Sequence, residues 1–279
     1  MTVDTKTSED ISADHALKGR HRAMWALGDY PAVVRELITE LGPTLVDACD
    51  VRPGERVLDV AAGDGNVAIP AALRGADVVA SDLTPELVAA GAQLSEEAGA
   101  QIDWRVEDVE ALPYADGIFD VVTSCLGVMF APHHQQGADE ILRVTRPGGR
   151  IGLINWTPEG FVGQMFATMK PYAPPPPPGA QPPPLWGRPD HLDELFGDRV
   201  TDVETTRRTV RVDRFSTGEA FRDFFKACYG PTIVTYRHIA EDPERVAALD
   251  AELADLARRH DLGGGALEFE YLVYTARKR

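Results

Sequence analysis

The stretch VLDVAAGDGNVAIPAAL, Val57 to Leu73, constrains the fold more than any other part of the chain. Val57, Leu58, Asp59 and Val60 read as a buried parallel strand with one acid near its carboxyl end, and small residues follow at once. Open α/β sheets bind nucleotides there, outside the carboxyl ends of the strands. Gly63 and Gly65 let the backbone approach a ligand, and Asp82, just after a strand read over 77–81, is placed to hold two ribose hydroxyls. The glycines alone do not choose the cofactor. The third glycine of a dinucleotide fingerprint falls near Ala68, where alanine is acceptable, so a nicotinamide cofactor passes this test. Asp59 counts against it, because its charge opposes a pyrophosphate and suits a cationic ligand.

From Arg56 onward, strand and helix signals alternate. Strands are read at 56–60, 77–81, 102–106, 118–124 and 149–155, with helices near 66–74, 85–98 and 135–145. The alternation predicts a parallel sheet covered on both faces. Thr84, Pro85 and Glu86 predict a helix start, with Thr84 as its cap. Ahead of the sheet, residues 1–13 are polar and read as disordered, whereas His15 to Asp50 carries apolar residues at the spacing of two or three helices.

Behind the sheet lies PYAPPPPPGAQPPPLWGRP, Pro171 to Pro189, which cannot supply amides to a ladder. It reads either as a surface linker or as a semi-rigid strap across an active-site mouth. A short helix (190–196), a strand (203–212), an aromatic-rich helical region (217–229), a helix (243–259) and a strand (267–276) follow. The organisation is thus a helical cap (1–50), a core (51–155), an insertion with the strap and sixth strand (156–240), and a closing helix and strand (241–279).

Composition narrows the partners. With 28 Lys and Arg against 44 Asp and Glu, the net charge is −16, the opposite of a footprint for nucleic acid or an anionic membrane. No apolar leader and no 18-residue apolar run is present, which predicts a cytoplasmic protein. Cys49, Cys125 and Cys228 are far apart and read as reduced thiols. No compact His/Asp/Glu set follows the fourth strand, so no metal is expected. Nothing in the sequence excludes a homodimer.

Four ordered motifs carry a resemblance: VLDVAAGDGN, VVASDLTPELV, VEDVEALPYADGIFDVVTS and LRVTRPGGRIGLINW. Together they make the chain similar to the class I S-adenosylmethionine-dependent methyltransferases, and more narrowly to their ubiquinone/menaquinone-methyltransferase-like small-molecule group. The resemblance implies a Rossmann-like α/β fold with a seven-stranded, mostly parallel sheet, an antiparallel last strand, an N-terminal helical cap and an inserted lid. It implies S-adenosylmethionine as cofactor. Ala61 stands where the family has its first glycine. By resemblance, Asp59, Ala61 and Gly63 line the methionine end, Asp82 binds the ribose and Leu83 packs on the adenine. Asp108 accepts from the adenine amino group, the Val109 amide faces the ring, and Ser124 and Cys125 lie near the methionine portion. The stretch MWALGDY is similar to a cofactor-capping element and singles out Trp25 and Tyr30.

Methyl transfer from a sulfonium is an in-line displacement that rests chiefly on alignment in a dry pocket, helped by a base where the acceptor must lose a proton. His133 and His134 are the candidate bases, since they follow the fourth strand and histidine titrates in the useful range. Tyr30, Met129, Trp156, Phe161, Phe166, Tyr229 and Tyr236 are candidate acceptor-site residues, and their character predicts an aromatic or otherwise apolar metabolite. Two other classes stay open: an NAD(P)-dependent oxidoreductase, and a non-catalytic cofactor-binding regulator or scaffold.

Overall fold

Four of the five residues of β1 (Arg56–Val60) are sealed from solvent, as befits a strand flanked on both sides and covered on both faces. The computed structural model describes residues 8–279, with residues 8–11 described by backbone alone. β1 pairs in parallel with β2 (Asp77–Asp82) and with β4 (Phe119–Cys125), so that Leu58 lies opposite Val79 and Val122. β3 (Ile102–Val106) and β5 (Thr145–Trp156) extend the parallel sheet outward. The chain then leaves parallel winding. β7 (Leu267–Lys278) inserts antiparallel between β5 and β6 (Val200–Val212), giving the order β3-β2-β1-β4-β5-β7-β6. This is the seven-stranded sheet that the sequence leads one to expect. β5 starts earlier than its apolar run, because the Pro147–Gly149 stretch is absorbed where the β4–β5 register shifts.

Among the described residues three helices precede the sheet: α1 (Ser8–Trp25), α2 (Tyr30–Val33), which runs into a π-helical turn at Val34–Ile38, and α3 (Leu41–Ala48). The expected disorder is therefore corrected for residues 8–13, which open α1; residues 1–7 lie outside the described residues. α3 packs on β5 at Gly152, where a Cβ would collide with the Cys49 sulfur. Crossovers between strands run through α4 (Ala68–Leu73), α5 (Pro85–Glu97) and α6 (His134–Val144). α5 starts as predicted, but the Thr84 side chain makes no capping bond; its amide instead donates to Asp82 Oδ1 at 2.9 Å.

Between β5 and β7 the chain builds α7 (Phe161–Met169), α8 (Pro189–Phe196), β6, α9 (Gly218–Cys228), α10 (Gly230–His238) and α11 (Pro243–Arg259). Thr217 caps α9 by accepting from the Ala220 amide at 3.1 Å. α10 was not legible, since Gly230-Pro231 reads as a turn. Proline in a helix's first turn gives up an N–H that has no partner there anyway. The second half of the proline tract is anchored: Trp186 is fully buried against His134 and Phe196, and the Gln181 amide donates to Pro132 O at 3.0 Å. No helix among the described residues is long and apolar enough to cross a membrane.

Candidate active site

The turn after β1 is wound tightly by three left-handed residues, Ala61 (φ +49°), Gly63 (φ +58°) and Gly65 (φ +97°). It floors a cleft at the carboxyl ends of β1, β2 and β4, with about 800 Å³ of space not filled by atoms, part of it open to solvent. Asp82 fixes one wall. Its Oδ2 accepts from the Gly63 amide at 2.9 Å and its Oδ1 from the Thr84 amide, so the acid that ends β2 braces the loop that ends β1. Of the sequence-predicted cofactor residues, Trp25, Ala61, Gly63, Asp82, Leu83, Asp108, Val109 and Cys125 line this cleft. Burial pushes the carboxyl of Asp82 and the thiol of Cys125 up from their ordinary ranges.

Two expectations are corrected. Asp59 does not reach the cleft; it lies beneath the loop, 1 % exposed, with Oδ1 accepting from Thr123 Oγ1 at 2.9 Å and Oδ2 unbonded. Burial pushes its carboxyl up to about 7. Ser124 is also interior. Its hydroxyl donates to Val60 O and accepts from the Val128 amide, both at 2.9 Å, tying β4 to β1.

Asp108 is already engaged. Lys18, reaching from α1, lies 3.0 Å from both of its oxygens and also bonds Glu110. Glu110 in turn accepts from the His133 amide at 2.7 Å and meets the His133 ring nitrogen at 2.9 Å. His133 is thus a partner of the loop after β3, not a base facing the cleft, because Glu110 pulls its ring away. His134 is corrected as well: fully buried, it faces His191 across 2.9 Å and packs on Trp186. Desolvation and the neighbouring histidines push it down to about 3. The expected absence of a compact His/Asp/Glu set also needs revision, since the fold brings ligand atoms of Asp14, Glu110 and His133 within 4.8 Å of one another. The Lys18 ammonium already sits on Glu110 at that place.

A second, smaller cavity adjoins the cleft. It shares Tyr30, Ile38, Leu126 and Phe130 with the cleft, and its remaining lining comes from α2, the π-helical turn, α7, α9 and the Tyr229 that follows it, β5 and β7. Among the described residues no charged side chain lines it; the polar groups are the Trp156 indole and the phenols of Tyr30 and Tyr229. Burial raises both phenols well above their ordinary range, so they stay protonated, with O–H groups available as donors. Trp25 closes the junction edge-on against Phe130 (4.7 Å), Tyr30 (5.4 Å) and Tyr229 (5.8 Å).

Tyr30, Trp156 and Tyr229 therefore line the chamber, and four other expected acceptor residues do not. Met129 is core, and Phe161 stacks on Phe269 with centroids 5.0 Å apart. Phe166 packs behind Phe130 and Tyr229, and Tyr236 turns its hydroxyl away to donate to Asp250 at 2.6 Å. No residue of the proline tract lines either cavity, so the strap does not cross the mouth. Lys18, Asp64, Glu107 and Phe130 are among the cleft residues that sequence reading did not single out. Nothing in the pattern of α1 marks Lys18.

Comparison with known proteins agrees with the geometry. Residues 58–153 match the family described as methyltransferase domain. The chain is 51% identical over 278 residues to the uncharacterized protein Rv1403c of Mycobacterium tuberculosis, covering 100% of both. It is 39% identical over 132 residues to the demethylmenaquinone methyltransferase of Beutenbergia cavernae, which is 44% of this chain and 53% of that one. Among solved structures, the YcgJ protein from Bacillus subtilis superposes with a TM-score of 0.57 at 16% identity, over 85% of this chain and 97% of that chain, a likeness of fold alone. Motifs, strand order and family match define one class: the chain belongs to the class I S-adenosylmethionine-dependent methyltransferases.

Proposed function

We propose that this enzyme binds S-adenosylmethionine in the cleft and transfers its methyl group to a small, uncharged, aromatic or otherwise apolar acceptor held in the adjoining chamber. The observation that carries the reading is the junction. Cleft and chamber meet at Tyr30, Ile38, Leu126 and Phe130, and no charged side chain lines the chamber. A phosphorylated or strongly ionic acceptor would lose its hydration there with no counter-charge in return.

The cleft fits the cofactor on three counts. The left-handed turn lets backbone approach a ligand closely, Asp82 presents a buried carboxylate beside that turn, and Asp64 adds a buried acid with an unbonded oxygen. When bound, the cofactor supplies an electrophilic methyl group on a cationic sulfur. The chain's own contribution is alignment and exclusion of water, which can be worth roughly 7–11 kcal/mol in favourable cases. No histidine or carboxylate lines the chamber, and Tyr30 and Tyr229 offer hydrogen bonds to orient a polar atom of the acceptor. The net charge of −16 likewise supports work on a small molecule rather than on nucleic acid or an anionic membrane.

Calorimetric titration with S-adenosylhomocysteine, with NADH as control, tests the cofactor. Micromolar binding of the former alone is expected; binding of NADH alone would overturn the reading in favour of an oxidoreductase. Methyl transfer to any apolar acceptor in a metabolite screen would exclude a scaffold without catalysis.

A further inference from the structure

Four acids line the cleft, and three of them have visible partners or partial access to water. Asp82 accepts two backbone amides, Asp108 takes Lys18 and the Glu110 amide, and Glu107, whose Oε2 is also unbonded, is only half-buried as a residue. Asp64 is different. It is 4 % exposed, it lines the cleft, and its Oδ1 has no hydrogen-bond partner. Its backbone is pinned between Gly63 and Gly65, both left-handed, and the Tyr30 ring lies over the Gly63 Cα. Arg35 feels its charge from a distance, but that guanidinium is mostly exposed and pairs with Glu36. A carboxylate held this way is costly until a donor reaches it.

We propose that Asp64 recognises the α-ammonium of the cofactor's amino-acid end. The assignment rests on the cofactor reading above. Two cationic groups exist on that ligand, and the chemistry selects between them. An orphaned carboxylate oxygen needs an N–H or O–H donor; the ammonium has three, and a sulfonium has none. Burial at this position raises the carboxyl to about 6, as expected of a group whose counter-charge arrives with the ligand.

The test compares three ligands by calorimetry on wild type and on Asp64→Asn, which keeps the shape and removes the charge. S-adenosylmethionine carries both cations, S-adenosylhomocysteine only the ammonium, and 5′-methylthioadenosine neither. Asp64→Asn is expected to weaken the first two by about tenfold or more and to leave the third within about twofold. Equal losses for all three, or none, would overturn the assignment, and a loss confined to S-adenosylmethionine would move it to the sulfonium and overturn it likewise. Wild type that binds none of the three would instead refute the cofactor reading itself. Should Asp64→Asn not fold, wild type at pH 5 and pH 7.5 gives the same answer. The affinity ratio of S-adenosylhomocysteine to methylthioadenosine falls at the lower pH if Asp64 must be ionised, and an unchanged ratio refutes it. Asp82, Asp29, Arg35 and Tyr30 are the charged or titratable groups that act on Asp64. The nucleoside, common to both ligands, cancels from the ratio any effect that Asp82 exerts through it.

Discussion

Lys18→Met tests how α1 is held over the cleft. The substitution keeps most of the aliphatic stem and removes the ammonium that bridges Asp108 and Glu110. The Glu110 carboxylate, with its side chain 3% exposed, then keeps only the amide and ring of His133. Removing one partner of a buried pair costs about 3–5 kcal/mol. Asp108, with its side chain 23% exposed, can turn toward water, and Glu110 retains its His133 bonds, which lowers the expected loss to about 2–3 kcal/mol. Besides this pair, α1 is joined to the body by Arg22 Nε, which donates to Leu83 O at 2.8 Å, by Asp14 facing the His133 ring at 3.9 Å, by the burial of Leu17, and at its last residue by Trp25 against Phe130, Tyr30 and Tyr229, so its first turns are the most weakly held. The loss therefore shows first as opening of α1, not as global unfolding. Hydrogen exchange of the α1 amides should speed up by about 30-fold, the equivalent of 2 kcal/mol. Combining Lys18→Met with Glu110→Gln removes both charges and should recover at least about 1 kcal/mol, as expected for residues in contact. Unchanged exchange in Lys18→Met, or no recovery in the double variant, refutes the reasoning.

Ala61→Gly relieves a left-handed backbone that costs an L-residue about 1–2 kcal/mol, against about 0.4–1 kcal/mol of added freedom in the unfolded chain; urea unfolding should show a net gain of about 0.5–1 kcal/mol. His134 binds a proton near pH 6.5 when unfolded and only near pH 3 when folded, so its contribution is present above pH 6.5 and is lost as pH falls. Between pH 7.5 and 5.5 wild type should lose about 1.4 kcal/mol more than His134→Gln; the variant is the needed reference because Asp59 and Asp64, raised when folded, act in the opposite sense. Asp82→Asn leaves one of two buried amides without its acceptor, so calorimetry should show at least about tenfold weaker S-adenosylhomocysteine binding, together with a stability loss of about 1–2 kcal/mol.

The sheet was legible because its strands are short apolar runs with a period of their own, and the turn at Ala61–Gly65 was legible because close backbone approach demands small residues. Asp82, Asp108 and Trp25 could be placed in the cleft by their position relative to strands or by a motif. What failed were side chains whose direction depends on distant partners. His133 turns toward Glu110, and His134 toward His191, 57 residues away, so neither faces the cleft. Met129 and Phe161 have the composition of a binding wall but the environment of a core. Lys18 finds its two acids some 90 residues further along, and no local pattern announces such a bond.

The antiparallel pairing of β7 has a consequence for how such enzymes diversify. Trp156 lies opposite Tyr271, so everything from the first lid residue to the end of α11 is one long loop closed at a β5–β7 neck. Closing a loop costs only about 0.6 kcal/mol more for each doubling of its length. Insertions of very different size and shape can therefore be exchanged above the same neck at almost equal cost, while the residues of the nucleotide cleft, which come from outside the loop, are left untouched. The loop supplies Val162, Phe225, Tyr229 and Phe269 to the acceptor chamber, so a chimera that swaps residues 157–270 for a relative's should shift acceptor preference and keep cofactor affinity.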